Sequence, residues 1–392
     1  MESDNKLFLL DAYALIYRAY YAFIKNPRIN SKGFNTSAIL GFVNTLEEVL
    51  KKENPTHIGV AFDPAGPTFR HEAFEQYKAQ REETPEAIRL SVPIIKEIIR
   101  AYRIPILEVA GYEADDVIGT LATEAGRQGI ITYMMTPDKD YGQLVSDKVF
   151  MYRPKHTGGF EVMGVDEVKA KFDIQSPAQV IDMLGLMGDS SDNIPGCPGV
   201  GEKTAQKLIA EFGSIENLLE HTDQLKGALK TKVETNREMI TFSKFLATIK
   251  IDVPIQLDMD SLVREQADED SLRQIFEELE FRTLIDRVLK KENAGNGITT
   301  PTGNKTAAEK SNLAPLPLFP EEGGAVQGDL FANFTGNEPG EAKNSNLATL
   351  ETLNCDYQLI DTEEKRTKII QKLLTSKILS LDTETTGTEP MD

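Results

Sequence analysis

The chain has 392 residues and is acidic, with 43 Lys and Arg against 62 Asp and Glu and a formal net charge of −19. This charge argues against a nucleic-acid partner unless the acids are concentrated in a metal site or a solvated linker, because binding follows local charge. The two cysteines lie far apart and the four histidines are scattered, which argues against a disulfide framework and a zinc site. The apolar run at the N-terminus is too short for a signal peptide or a membrane span, so we expect a soluble, cytoplasmic protein.

Predicted strands and helices alternate through the first 155 residues. Apolar runs predict strands at 7–10, 56–62, 104–109, 130–136 and 148–153, and helical spacing predicts helices at 12–23, 36–50 and 115–128. This alternation predicts an α/β domain with a mostly parallel sheet. Ligands of such sheets bind beyond the carboxyl ends of the strands.

Carboxylates follow each of the first four predicted strands. They are Asp11, Asp63, Glu113, Asp115, Asp116, Asp138 and Asp140. A single acid at a strand end is often a helix cap, and residues 113–116 alone would suit the first turn of a helix, but four such strand ends are hard to explain as capping. Crowded carboxylates repel one another unless a cation compensates them, and oxygen ligands suit Mg²⁺ or Mn²⁺. The sequence therefore predicts a divalent-metal site, which Asp189 and Asp192 could extend.

The segment 66–103 interleaves aromatic and basic residues and ends in an amphipathic stretch at 86–102. Among them are Arg70, Tyr77, Lys78 and Arg81. Aromatic rings stack on bases and cations hold phosphates, so the segment is a candidate contact for single-stranded nucleic acid. An ordinary amphipathic helical pair with charged faces would give the same pattern.

The second half of the chain is predicted to be mainly helical. A helix at 177–187 is followed by the turn Gly199-Val200-Gly201, which leads into a helix at 202–212 that carries Lys203. The free N–H groups at the start of that helix could bind a duplex phosphate, although the glycines could also serve only close packing. Further helices are expected from 215 to about 289, with an extended interruption at 252–255.

Residues 291–354 are rich in Gly, Asn, Thr, Pro and Glu and lack periodicity, which predicts a disordered linker. After it, the sequence predicts a helix at about 362–376 and a strand at 378–381.

Five motifs carry a family resemblance. They read FLLDAYALIYRAYYAF, AFDPAGPTFRHEAFEQYKAQR, GYEADDVIGTLA, TPDKDYGQLV and GDSSDNIPGCPGVGEKTAQKLI. With them, residues 1 to about 290 resemble the 5′-nuclease domain of the bacterial DNA polymerase I family, within the flap-endonuclease superfamily.

The resemblance implies a PIN-like catalytic domain at 1–175 with a helical arch at 66–103, and a helix-hairpin-helix DNA-binding subdomain at 176–290. Residues 355–392 resemble the start of a 3′–5′ exonuclease domain, in which Asp382 and Glu384 match the first metal-binding motif. The remainder of that site and any polymerase domain are not in the sequence, so we expect an N-terminal fragment without proofreading or synthesis.

The resemblance also assigns roles. Asp11, Asp63, Glu113, Asp115 and Asp116 would surround one metal ion, and Asp138, Asp140, Asp189 and Asp192 a second. Lys78 and Arg81 would lie near the scissile phosphate, Tyr77 would stack on a base, and Arg70 would belong to the same DNA-binding arch. Gly199, Gly201, Lys203 and Thr204 would hold the downstream duplex, with a K⁺ ion at the turn.

The implied function is a structure-specific 5′ nuclease that uses two Mg²⁺ ions, with Mn²⁺ as a substitute. It would remove flaps and RNA primers during replication and repair, as a monomer associated with the nucleoid. A non-catalytic DNA-structure binder is the alternative, but it has no reason to keep nine acids beside phosphates. An acidic Ca²⁺-binding protein would space its ligands locally, as an EF-hand does.

One further motif lies in the linker. Residues 327–331 are similar to the peptide by which bacterial replication proteins bind the sliding clamp, with Gln327, Leu330 and Phe331 as the contacting residues. An exposed Leu-Phe pair could anchor in an apolar groove. A match of this length also arises easily by chance.

Overall fold

In a computed structural model, the described residues are 5–155, 159–289 and 362–374. They belong to two compact units, Met1–Thr335 and Gly336–Asp392. The linker peptide with Gln327, Leu330 and Phe331, the predicted strand at 378–381, and Asp382 and Glu384 lie outside the described residues.

A six-stranded sheet forms the centre of the first unit. Its strands are β1 (Lys6–Asp11), β2 (His57–Ala61), β3 (Ile106–Leu107), β4 (Ile131–Met135), β5 (Val149–Pro154) and β6 (Phe160–Met163). They are arranged in the order β3-β2-β1-β4-β5-β6, and all neighbouring pairs are parallel except β5 and β6. The predicted, mostly parallel α/β sheet is therefore confirmed, while the antiparallel edge strand β6 was not predicted.

Helices flank the sheet and then continue the chain. Those before β6 are α1 (Ala12–Ala22), α2 (Ser37–Lys52), α3 (Phe69–Ala73), α4 (Glu86–Ala101) and α5 (Ala114–Arg127), with a 3₁₀ helix at Lys139–Leu144. Those after it are α6 (Val165–Phe172), α7 (Gln179–Met187), α8 (Glu202–Phe212), α9 (Ile215–Glu220), α10 (Gly227–Thr235), α11 (Arg237–Ala247), α12 (Glu269–Glu278) and α13 (Arg282–Leu289), with a 3₁₀ turn at Thr222–Gln224. In the second unit, α14 spans Glu363–Leu374. None of the helices within the described ranges is long and apolar enough to cross a membrane.

The side chains of β1 divide the core in two, because successive strand residues point to opposite faces. Leu7 and Leu9 pack in a cluster that extends through α5 and α7 to Leu208 of α8. Phe8 and Leu10 pack in the other cluster, with side chains from α1, α2 and α4. Burial of such a side chain contributes about 1.5–3 kcal/mol, so the central strand is firmly fixed and places Asp11 at its carboxyl end.

Two segments differ from the sequence prediction. Strand β3 is shorter than predicted because Pro105 has no N–H to donate, although its carbonyl accepts from the N–H of Val60 at 3.0 Å. The non-helical segment after α11 is much longer than predicted, since it runs from 248 to 268. There the backbone pairs with the sheet: the N–H of Ile58 donates to the carbonyl of Leu262 at 2.9 Å.

Candidate active site

The acids predicted from the strand ends lie along one edge of the sheet. The strand order reverses between β1 and β4, which is where ligands of open α/β sheets bind. Asp11 ends β1, Asp63 follows β2, and Asp138 caps the 3₁₀ helix that follows β4. The acids of residues 113–116 start α5, which comes after β3.

Asp11 and Asp63 are held by local hydrogen bonds. Asp11 accepts from the backbone N–H of Ala14 at 3.1 Å and from the hydroxyl of Tyr141 at 3.0 Å, and Asp63 accepts from the N–H of Ala114 at 2.7 Å. Burial, with the charge of Asp63 added, raises the pKa of Asp11 to about 7. Burial also raises the pKa of Asp63. Both carboxylates are therefore in surroundings that favour a compensating cation.

The second group of acids contains an unpaired oxygen. Oδ1 of Asp140 is buried and has no hydrogen-bond partner in the part of the chain that the structure describes. Burial and the neighbouring Asp138 raise the pKa of Asp140 well above its ordinary value. Asp189 lies close by and forms an ion pair with Lys139, with the Nζ–Oδ2 distance at 3.1 Å. An unpaired buried carboxylate oxygen is costly, so a bound ion is a natural explanation for it.

Two cations of segment 66–103, the predicted arch, neutralise acids of the cluster. Nζ of Lys78 lies 2.8 Å from Oε1 of Glu113, and Nη2 of Arg81 lies 2.5 Å from Oδ1 of Asp192. Burial opposes ionisation of Glu113, but Lys78 and Arg70 outweigh it and lower its pKa. The pKa of Asp192 is lowered in the same way, since Lys78 and Arg81 outweigh its burial.

The arch segment is also bound through its backbone. The N–H of Lys78 donates to the carbonyl of Asp192 at 3.0 Å, and Nδ2 of Asn193 donates to the carbonyl of Gln76 at 2.7 Å. Lys78 has a φ of 56°, a left-handed conformation that is uncommon for a lysine. The base of the arch is therefore docked on the loop that carries Asp189 and Asp192.

The acids were predicted to converge on one site, and the structure brings them together only in part. In this conformation, no three Asp, Glu, His or Cys side chains of the described ranges are arranged to hold one metal ion. Lysine and arginine side chains contact several of the carboxylates instead. The donor chemistry nevertheless fits a divalent cation, because the site offers only oxygen ligands, crowded charges and an unpaired buried oxygen.

Three predicted site residues lie in unexpected positions. Asp116, predicted to be a metal ligand, has no exposed surface, and all its oxygens accept hydrogen bonds from protein. Arg70, predicted to contact DNA, is only 1% exposed and binds Asp116. Tyr77 is only 3% exposed and its hydroxyl donates to Glu113 at 2.9 Å, so its ring is closed to a stacking base in this conformation. The interleaved pattern of segment 66–103 did not distinguish the inward-facing Arg70 and Tyr77 from surface contacts.

Sequence analysis missed Tyr141 and Lys139, which contact Asp11 and Asp189. Both lie in the motif TPDKDYGQLV, next to acids that were singled out, and this proximity was the available signal.

The glycine turn begins α8 as predicted. Gly199 has a φ of 74°, and Gly199, Gly201 and Lys203 are exposed, whereas Thr204 is half-buried and its N–H donates to the carbonyl of Gly201 at 3.0 Å. Nζ of Lys232 lies 3.4 Å from the carbonyl oxygen of Gly199. A lysine ammonium therefore occupies the vicinity in which a K⁺ ion was expected.

The sheet has acids at its strand ends, the cations Lys78 and Arg81 lie beside them, and a helical part of the chain follows. This is the architecture of a 5′ nuclease. Residues 6–173 match the family model "5′-3′ exonuclease, N-terminal resolvase-like domain", and residues 175–270 match "5′-3′ exonuclease, C-terminal SAM fold". The chain belongs to the 5′–3′ exonuclease family.

Curated relatives carry the name DNA polymerase I. The protein of Bacillus caldotenax is 42% identical over 287 residues, which cover 72% of this chain and 32% of the relative. That of Bacillus subtilis is 43% identical over 291 residues, covering 74% of this chain and 33% of the relative. The chain thus spans about a third of the length of these relatives.

Solved structures share the fold at low sequence identity. A T5 5′-exonuclease with bound divalent metal ions (zinc) has a TM-score of 0.53 and 21% identity, covering 71% of this chain and 99% of its own. The catalytic core of Rad2 in complex with a DNA substrate has a TM-score of 0.50 and 19% identity, covering 72% and 93%.

Proposed function

We propose that the chain is a structure-specific 5′ nuclease that hydrolyses phosphodiester bonds at 5′ ends and flaps of duplex DNA and in RNA primers. It would serve as the 5′-nuclease part of a DNA polymerase I in replication and repair. The observation that carries the proposal is the acid-lined sheet edge directly beside the phosphate-compatible cations Lys78 and Arg81, with an Asp140 oxygen that has no partner among the described residues.

Two divalent cations, Mg²⁺ or Mn²⁺, are proposed for this edge. Asp11, Asp63, Glu113 and Asp115 would hold one, and Asp138, Asp140, Asp189 and Asp192 the other. Ions bound there would activate the attacking water and stabilise charge on the phosphate.

The arch cations then act on the substrate. Lys78 and Arg81 are bound to Glu113 and Asp192 in the structure, so they lie next to the carboxylates that would hold the ions. With ions bound, the carboxylates would have another counter-charge, and the N–H donors of Lys78 and Arg81 could then move to the oxygens of an entering phosphate. Donors aimed at the phosphate stabilise the charge that develops in the transition state.

Substrate selection would depend on shape. The arch would accept a 5′ single strand, and the exposed turn with Gly199, Gly201 and Lys203 would contact the backbone of the downstream duplex. Backbone contacts position a nucleic acid but carry no direct sequence information. We therefore expect cleavage that depends on a flap or nick rather than on base sequence.

The test is cleavage of a 5′-labelled flap duplex with Mg²⁺, compared with EDTA and with Asp140→Asn. Asp147→Asn is the matched control, because Asp147 is an exposed acid in the loop before β5. We expect metal-dependent cutting near the junction that Asp140→Asn abolishes and Asp147→Asn retains. Tight binding without cutting in either Mg²⁺ or Mn²⁺ would instead favour a non-catalytic DNA-structure binder.

A sliding clamp is proposed as a partner through residues 327–331, and action at the nucleoid would follow from it. The measurement is clamp affinity of the Leu330→Ala, Phe331→Ala double variant against Gln327→Ala and wild type. Unchanged affinity in the double variant would remove the clamp from the proposal and leave the nuclease unaffected.

A further inference from the structure

Asp116 is enclosed by protein donors. Its Oδ1 accepts from Nη2 of Arg70 at 2.9 Å and from the backbone N–H of Lys250 at 2.8 Å. Its Oδ2 accepts from Nη1 of Arg70 at 2.8 Å and from the backbone N–H of Glu113 at 3.1 Å. A fully buried carboxylate with four such bonds has its lone pairs occupied and little capacity left for a metal ion.

Arg70 is enclosed to the same degree. Besides its two bonds to Asp116, Nε donates to the carbonyl of Leu246 at 2.9 Å and Nη2 donates to the carbonyl of Thr248 at 2.8 Å. Nη1 also donates to Oε2 of Glu113 at 3.3 Å. These bonds use the five N–H donors of the guanidinium, and the paired contact with Asp116 is the strong bidentate kind.

Three parts of the fold meet at this ion pair. Arg70 belongs to α3, which starts the arch, and Asp116 belongs to α5, which carries the acids. The carbonyls that Arg70 binds come from the end of α11 and the residues after it, within the C-terminal family domain. The ring of Phe69 covers the guanidinium, with its centroid 4.6 Å from Cζ, and packs against Phe245 at 6.0 Å.

A short chain of contacts connects Arg70 to the arch cation Lys78. The N–H of Phe74 donates to the carbonyl of Arg70, and the N–H of Tyr77 donates to the carbonyl of Phe74, both at 2.9 Å. Lys78 follows directly and binds Glu113. The position of the Lys78 ammonium therefore depends on where Arg70 is anchored.

We propose that Arg70 and Asp116 are positioning residues that form a buried latch. The latch fixes the base of the arch to the acid-bearing helix and to the C-terminal domain, so that Lys78 lies against Glu113, and Asp116 is not a metal ligand. The catalytic consequence rests on the proposed nuclease function, whereas the mechanical consequence does not.

The first experiment measures Mn²⁺ binding to the full chain by electron paramagnetic resonance, without DNA. Asp116→Asn and Arg70→Lys should change the Mn²⁺ affinity alike, within about threefold of each other, since they disrupt one network. Asp115→Asn should weaken Mn²⁺ binding more than either of these two variants does. If Asp116→Asn weakens Mn²⁺ binding as much as Asp115→Asn while Arg70→Lys does not, Asp116 is a ligand and the proposal is wrong.

The second experiment follows Arg70→Lys, which keeps the charge but cannot reproduce the bidentate fork. Backbone amides of Tyr77, Lys78 and Arg81 should exchange hydrogen at least about tenfold faster than in wild type, because local opening becomes easier. The value of kcat for flap cleavage should fall about 10- to 100-fold, as expected when catalytic groups are misplaced, with flap affinity nearly unchanged. Adding Lys78→Met should then cause little further loss.

Arg264→Lys is the matched control, because Arg264 also bridges chain segments, through Leu50 and Asn54, but lies outside the acid cluster. It should leave both exchange in the arch and kcat unchanged. A folded Arg70→Lys variant with wild-type exchange and wild-type kcat would overturn the latch. If wild type itself does not cut, the proposed function fails, and amide exchange and Mn²⁺ binding still decide the latch.

Discussion

Replacing Gly196 by alanine should distort the loop that carries Asp189 and Asp192. Gly196 has a φ of 63°, and a Cβ there would lie 2.3 Å from the backbone nitrogen of Gly188. The two sides of this loop are tied by reciprocal hydrogen bonds between Asp189 and Ile194, at 2.9 and 2.7 Å, so neither side can move alone. Relief of the clash requires a backbone shift of about 1 Å in a closely packed region.

The magnitude follows from two contributions. The left-handed backbone costs alanine about 1–2 kcal/mol. Steric overlap in a packed site adds about 1–3 kcal/mol. We therefore expect Gly196→Ala to lower the free energy of unfolding by about 2–5 kcal/mol, and a 1 Å displacement of the acids to lower kcat by about 100-fold.

The assay is urea unfolding combined with flap-cleavage kinetics, with Gly129→Ala as the control. Gly129 has a φ of 80°, and no atom of the described ranges lies within 4 Å of the position that a Cβ would take there, so it shares the backbone strain without the clash. The free energy of unfolding of Gly129→Ala should fall by only about 1–2 kcal/mol, and its kcat should stay at the wild-type value. Equal destabilisation in the two variants, with cleavage intact in Gly196→Ala, would refute the steric reasoning.

Three further outcomes are expected. Lys78→Met should lower kcat by about 100- to 1,000-fold with flap affinity largely kept. Lys96→Met, which removes a lysine of α4 that pairs with Glu108, should not, and equal losses would contradict the role of Lys78. Tyr77→Phe removes the hydroxyl that donates to Glu113 at 2.9 Å and has Asp192 as a second acceptor within 3.1 Å, and it should lower the free energy of unfolding in urea by about 1.5–3 kcal/mol. A loss below about 0.5 kcal/mol would argue against that hydrogen bond. Mg²⁺ at 100 times its dissociation constant should raise the free energy of unfolding by about 2.7 kcal/mol, measured by thermal unfolding. EDTA should remove this stabilisation, and a chain without a metal site would not show it.

The sequence by itself determined the strands and the acids that follow them. Apolar runs predicted the bounds of β1, β2 and β4 to within one or two residues, because a buried strand consists of consecutive apolar residues. Parallel alternation then assigned Asp11, Asp63 and Asp138 to one edge of the sheet. The glycine turn before α8 was also read correctly, since its backbone conformation depends on the residues of the turn.

Only the tertiary structure decided which of these groups face one another. Successive residues of a helix point about 100° apart, so neighbours as similar as Asp115 and Asp116 have different surroundings. Asp116 points inward to Arg70, while Asp115 remains partly exposed, with 24% of its side chain accessible. Sequence spacing could not show this, because three of the four hydrogen bonds to Asp116 come from Arg70 of α3 and Lys250 after α11, over 40 and over 130 residues away. The contacts that distinguish Asp116 from Asp115 thus form only when distant segments of the chain pack together.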